Sequence, residues 1–188
     1  MTKILLLNAA PMSGKDYLAD KLQEMSPLHV EPQEFKEPLY QLVQLIYSIK
    51  SERFWEVYND RCLKEQKLFV NNTKSIRDLM IEVSEDLIKP FYGRDYFGKV
   101  AVENIEDGKL NVFSDCFGDE DEIQPLIDTY GKDNIICIRI KSKHSDFIGD
   151  SRRYLETDKI KCFDVWNDMK TEWVINQTTG ILTKEGFI

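Results

Sequence analysis

Apolar positions change their spacing repeatedly along this chain, and the changes predict alternating strands and helices. The uninterrupted run from Ile4 to Leu7 reads as a strand covered on both sides. Leu18, Leu22 and Met25 then recur at helical spacing, closed by Pro27, and residues 28–35 read as extended, punctuated by Pro32. A second helix follows Pro38, with Leu39, Leu42, Val43 and Ile46 on one face. Residues 51–72 are charged and aromatic without a clear period, and read as irregular. The third helix has the plainest pattern: Ile76, Leu79, Met80, Val83 and Leu87 repeat at three and four, from near Ser75 to Pro90.

After Gly93, residues 95–105 read as a fourth helix, and Asp107-Gly108 is a turn into an apolar strand over 110–113 that ends in Ser114-Asp115. Helical spacing resumes with Ile123, Leu126, Ile127 and Tyr130, with Gly131 as its cap, and residues 135–140 form a buried strand broken by one polar residue. Residues 172–176 and 181–183, separated by Thr178-Thr179-Gly180, predict a terminal hairpin or a short strand and turn. Apolar strands separated by helices predict an α/β class in three layers, a parallel sheet with helices on both faces. At 188 residues the expectation is one compact domain with an appended hairpin or lid.

Charge narrows the partners. With 33 acidic and 25 basic residues the formal net charge is −8, which leaves no basic excess for binding a nucleic-acid polymer through its phosphates, while a local basic pocket for a small anion remains open. The N-terminus runs directly into a short apolar strand, without a signal-peptide layout or a membrane-length apolar run, so no membrane association and a soluble, cytoplasmic protein are expected. Cys62, Cys116, Cys137 and Cys162 are widely spaced and joined by only two histidines, His29 and His144; reduced thiols are expected rather than a zinc site.

The segment between the first strand and the first helix carries the strongest chemical signal. A nucleotide-binding loop reads glycine, four residues, then Gly-Lys-Ser or Gly-Lys-Thr; here Ser13, Gly14 and Lys15 fit, Ala9 stands at the first glycine and Asp16 at the hydroxyl residue. Backbone N–H groups between Ala10 and Lys15, together with the positive end of the helix, would hold a β-phosphate, and Lys15 would reach the β- and γ-phosphates as a point charge. The candidate nucleotide-binding residues are therefore Ala10, Pro11, Met12, Ser13, Gly14, Lys15, Asp16 and Tyr17. Asp16 would bind Mg²⁺ directly or through water. The methyl group of Ala9 is expected to restrict a turn that glycine makes freely.

Asp115 ends an apolar strand at the edge where open α/β sheets bind ligands; it reads equally as a magnesium-organising acid and as an N-cap for the next helix. The acidic run 119–122 reads as a solvated first helical turn. Arg152 and Arg153 lie in a polar segment, 142–158, that could act as a lid over a transferring phosphoryl group or leave two exposed charges on a loop.

In order and spacing, these segments resemble the bacteriophage deoxynucleoside monophosphate kinases, small relatives of the adenylate and thymidylate kinases. The resemblance rests on Ser13-Gly14-Lys15-Asp16, on Phe35-Lys36-Glu37-Pro38-Leu39, on Ser75-Ile76-Arg77-Asp78-Leu79, on Gly93-Arg94-Asp95-Tyr96-Phe97 and on Val112-Phe113-Ser114-Asp115. It implies a P-loop NTPase fold with a substrate-binding helical region over 36–106 and a lid over 142–158. Arg77 would bind the phosphate of a monophosphate acceptor, with Lys36 and Arg94 as further candidates. ATP and Mg²⁺ would be the cofactors, small nucleotides the partners, a homodimer the possible assembly and the host cytoplasm the location. The chain departs from the family at Cys116-Phe117-Gly118-Asp119-Glu120, which lacks an arginine the family carries there, at Ser84-Glu85 and at Tyr17.

The expected activity is phosphoryl transfer from ATP to a deoxynucleoside 5′-monophosphate, with Lys15, Arg77, Asp115, Arg152 and Arg153 as the catalytic set. Alternatives are a kinase of another small acceptor and a kinase-derived nucleotide-binding protein acting through a partner.

Overall fold

A computed structural model describes residues 1–26, 28–148, 152–168 and 171–188. In chain order the elements are β1 (Lys3–Ala9), α1 (Lys15–Met25), β2 (Val30–Gln33), α2 (Glu37–Ile46), α3 (Ser51–Asn59), α4 (Arg61–Lys64) and α5 (Ile76–Ile81). A π-helical stretch (Glu82–Ile88), α6 (Lys89–Tyr92), α7 (Tyr96–Glu103), β3 (Leu110–Phe113) and α8 (Glu120–Tyr130) follow. The chain ends with a 3-10 turn (Lys132–Asn134), β4 (Ile135–Lys141), β5 (Lys161–Trp166) and α9 (Thr171–Lys184). They fall into two compact units: Met1–Phe35 with Gly98–Ile188, and Lys36–Phe97.

The first unit is α/β. Its five strands are all parallel, in the order β2-β3-β1-β4-β5, with Leu5 opposite Val112 on one side and Ile136 on the other. Leu5, Leu7, Val112, Ile136, Ile138, Ile140 and Val165 share one face with Leu18 and Leu22 of α1 and Val174 and Leu182 of α9. The opposite side chains, among them Ile4, Leu6, Phe113 and Cys137, are equally buried, and α8 packs along β4 with Ile123 and Leu126 inward. Burial on both faces explains why β1 and β4 are apolar without alternation. The chain leaves β1 and β3 for helices on opposite faces, so the carboxyl ends of these neighbouring strands flank a switch in topology.

The second unit is helical. Tyr40, Phe54, Trp55 and Tyr58 interlock with ring centroids 5.0 to 5.9 Å apart, and the Tyr40 and Tyr58 hydroxyls lie 3.0 Å apart. That cluster is why residues 51–59 fold as α3 rather than as the expected irregular chain: Phe54 and Val57 are spaced for one helical face and are fully buried. Ser75 and Asp78 form a reciprocal capping box that starts α5 where expected.

Pro90 does not end the third helix, which continues to Tyr92. The turn before it is widened to π geometry, with the Lys89 N–H donating to the Ser84 carbonyl five residues back. This widening accommodates a proline ring that would collide with the carbonyl four residues earlier in a regular α-helix.

Two further expectations are corrected. Residues 172–183 are not a hairpin but part of α9, because Val174, Thr178 and Leu182, spaced by four, are all buried. The spacing marks no strand between residue 140 and the expected terminal hairpin, yet β5 lies there and pairs with β4 through Cys137–Cys162 and Arg139–Asp164. Pro27 and residues 149–151 of the expected lid lie outside the described residues.

Candidate functional site

β1 delivers the chain into a tight loop. Ala9 is still strand, paired with Ile140 and packed in the core, so the methyl group restricts no turn and glycine is not needed there. The bend comes later: Ser13 N–H donates to the Ala10 carbonyl at 3.3 Å, Met12 takes φ 65° and Gly14 φ 88°. Gly14 opens α1, whose first turn has no side-chain cap. An uncapped N-terminus of an eleven-residue helix is a natural place for an anion.

The Ser13 side chain is buried and its Oγ has no hydrogen-bond partner. A buried hydroxyl without a partner costs free energy that a bound oxyanion would recover. Lys15 is largely buried and forms an ion pair with Asp16, whose own side chain is 73% exposed. Tyr17 is exposed, with the Lys21 ammonium over its ring at 5.5 Å.

Asp115, after β3, is buried, and its Oδ1 accepts from the Phe35 N–H at 3.0 Å. It does not cap the following helix. Asp119 does, accepting from the Asp121 N–H at 3.3 Å. Nor is the run 119–122 wholly solvated, because Glu122 turns inward and accepts from the Phe117 N–H at 3.1 Å. Burial, reinforced by the carboxylates of Glu122 and Asp115, pushes the enclosed Cys116 thiol well above the usual range. All four cysteines are free.

Arg153 is fastened at both of its backbone groups. Its N–H donates to the Phe117 carbonyl at 3.1 Å, and its carbonyl accepts from Asn8 Nδ2 at 3.0 Å. Its guanidinium, 71% exposed, donates through Nε to the Gly118 carbonyl at 3.1 Å and lies 3.9 Å from Asp119. The segment after Asp115, which lacks an arginine of its own, thus meets one from elsewhere in the chain. Arg152 is half-buried.

Three residues that sequence reasoning passed over hold this arrangement. Asn8 and Arg139 are neighbours in register, as are Arg139 and Asp164, so one polar row crosses β1, β4 and β5. Asn8 Nδ2 also donates to the Cys116 carbonyl at 3.0 Å, while its Oδ1 accepts from the Leu155 N–H at 2.8 Å. Arg139 donates to Asp164 at 2.6 Å and to the Leu155 carbonyl at 3.2 Å. A polar residue inside an otherwise apolar strand was the available signal for Asn8.

Neither protein-family models nor curated proteins give a match to this chain. The geometry therefore carries the functional argument. Among the described residues no group of three or more His, Cys, Asp or Glu side chains could hold a metal ion.

The remaining candidates lie in the second unit. Arg77, in the first turn of α5, donates through Nε to Glu65 at 2.8 Å. Lys36 is half-buried at the start of α2, and Arg94 is exposed beside Gly93. No helix among the described residues is long and apolar enough to cross a membrane.

Proposed function

We propose that this protein has a P-loop NTPase fold and transfers the γ-phosphoryl group of ATP to a deoxynucleoside 5′-monophosphate, supplying diphosphates for phage DNA synthesis in the host cytoplasm. The observation that carries the reading is the loop between β1 and α1: an uncapped helix N-terminus, a glycine at positive φ, Lys15, and a buried Ser13 hydroxyl without a partner. These are the groups that bind phosphate oxygens.

In this reading the loop and Lys15 hold the ATP phosphates, and Asp16 and Asp115 orient the magnesium ion that ATP brings. Magnesium supplies charge neutralisation on the phosphates. Arg77, with Lys36 and Arg94, binds the acceptor phosphate, and Arg153 or Arg152 stabilises charge on the transferring group. Such a reaction needs positioning and electrostatics more than covalent help.

The test is ADP release with ATP and a panel of dAMP, dCMP, dGMP, dTMP and modified monophosphates. Wild-type turnover with at least one acceptor and its loss in Lys15→Ala are expected. ATP binding without turnover on any acceptor would replace the reading with a nucleotide-binding protein, and full activity in Lys15→Ala would remove the loop from the chemistry.

A further inference from the structure

The end of β5 touches the loop through one side chain. Asn167 Nδ2 donates to the Ser13 carbonyl at 2.8 Å. The Asn167 backbone N–H donates to the Lys141 carbonyl at 2.8 Å, extending the β4–β5 ladder one residue past the strand, so the amide is presented from a hydrogen-bonded edge of the sheet. It lies flush against the next residue: a Cβ on Gly14 would stand 2.9 Å from Asn167 Nδ2.

The consequence follows from the peptide plane. In a trans peptide the C=O of one residue and the N–H of the next point in opposite directions. Drawing the Ser13 carbonyl toward Asn167 therefore turns the Gly14 N–H away from β5. Glycine permits both orientations of such a peptide at little cost, and Gly14 at φ 88° has no side chain to choose between them. The choice is made from outside, by Asn167. With the peptide reversed, a carbonyl oxygen would stand where an N–H should, and would repel an oxyanion.

We propose that Asn167 is a positioning residue of the phosphate loop, locking the Ser13–Gly14 peptide with its N–H presented to the bound phosphate. The inference rests on the nucleotide-loop reading above and assigns the loop's competence to the carboxyl end of β5. It also gives the Gly14 requirement a second cause, since any side chain there would displace the amide that holds the loop.

The test compares wild type with Asn167→Ala, Asn167→Ser and Asn167→Asp by calorimetric titration with ATP and with inorganic tripolyphosphate, alongside thermal unfolding. Loss of one aligned hydrogen bond predicts about tenfold weaker binding of both ligands in Asn167→Ala. Partial recovery is expected in Asn167→Ser, which retains a donor, and the weakest binding in Asn167→Asp, whose carboxylate repels both the Ser13 carbonyl and the phosphate. The Gly14 amide resonance of the ligand-free protein shifts in Asn167→Ala. Lowered melting temperature with unchanged affinities would mean a purely structural contact and overturn the proposal; so would a loss confined to ATP, which would place Asn167 against the nucleoside. Wild-type protein that binds neither ligand would overturn the nucleotide reading and this inference with it, whereas wild-type binding unaffected by any substitution would overturn the inference alone. If Asn167→Ala fails to fold, Asn167→Ser and Asn167→Asp decide between the same outcomes.

Discussion

Asp115 Oδ1 accepts the Phe35 backbone N–H at 3.0 Å, so the acid at the end of β3 also holds the chain where it leaves β2. That structural role and the proposed magnesium-orienting one separate by substitution. An asparagine in its place would retain an acceptor oxygen without the charge, and an alanine would retain neither. Asp115→Asn is expected to melt close to wild type while losing at least about a hundredfold in turnover, the scale of one missing electrostatic group in a phosphoryl-transfer site. Asp115→Ala should also lose about 1–3 kcal/mol of stability, because a buried N–H is left without its partner. Thermal unfolding and ADP release measure both; equal turnover in Asp115→Asn and wild type would remove Asp115 from the chemistry.

Gly118 is required by its neighbour. A Cβ there would come within 2.0 Å of the Arg153 carbonyl, and the residue sits at φ 86°. Gly118→Ala should therefore dislodge the backbone around Arg153, at a cost of about 1–3 kcal/mol from the backbone conformation alone and more from the collision. A fall in melting temperature with faster hydrogen exchange at the Arg153 amide, which bonds the Phe117 carbonyl, is the expected result. Wild-type exchange would show that the segment does not depend on this close approach.

Asn8, inside β1, ties the segments that follow β3 and β4 to that strand through three hydrogen bonds made by one buried amide. A leucine would keep its branched shape in a larger volume but satisfy none of them. Asn8→Leu is expected to lose about 3 kcal/mol or more, since two carbonyls and the Leu155 N–H are stranded together. Asn8→Asp should be no better, because its carboxylate meets two carbonyl oxygens. Denaturant titration reads both, and a loss under about 1 kcal/mol in either would mean that water replaces the amide.

The fold was most legible where burial is two-sided. β1, β3 and β4 announce themselves because nearly every residue in them must be apolar, and the capping box at Ser75 and Asp78 announces α5. What failed was propensity read without its partner. The β-branched residues of 171–184 suggest strands, yet four-residue spacing of buried positions makes them helical. β5 was hidden because Asp164 interrupts it, and the row to which Asp164 belongs has its other members, Asn8 and Arg139, on different strands. For the same reason the loop residues were readable as a local motif, while Asn8, Arg139 and Asn167 were not: their partners are 108 to 154 positions away for Asn8 and Asn167, and across a strand pair for Arg139.

Asp78 makes the stability of the second unit depend on acid. The Lys67 ammonium at 2.6 Å, followed by the Ser75 N–H at 2.7 Å, pulls its carboxyl from the ordinary 3.8 down to about 2. A depressed folded-state pKa means that the unfolded chain takes up the proton first. The stabilisation is therefore complete above the unfolded value, near pH 4, and is lost as pH falls through about 2. The side chain is 38% exposed, so solvent screening reduces the contribution to about 1 kcal/mol. Asp78→Asn should lower stability at pH 7 by that amount, and the gap from wild type should close between pH 4 and pH 2. Urea titrations at pH 7, 4 and 3 measure it; a gap that stays constant across the three would mean that the capping geometry, not the charge, supplies the stabilisation.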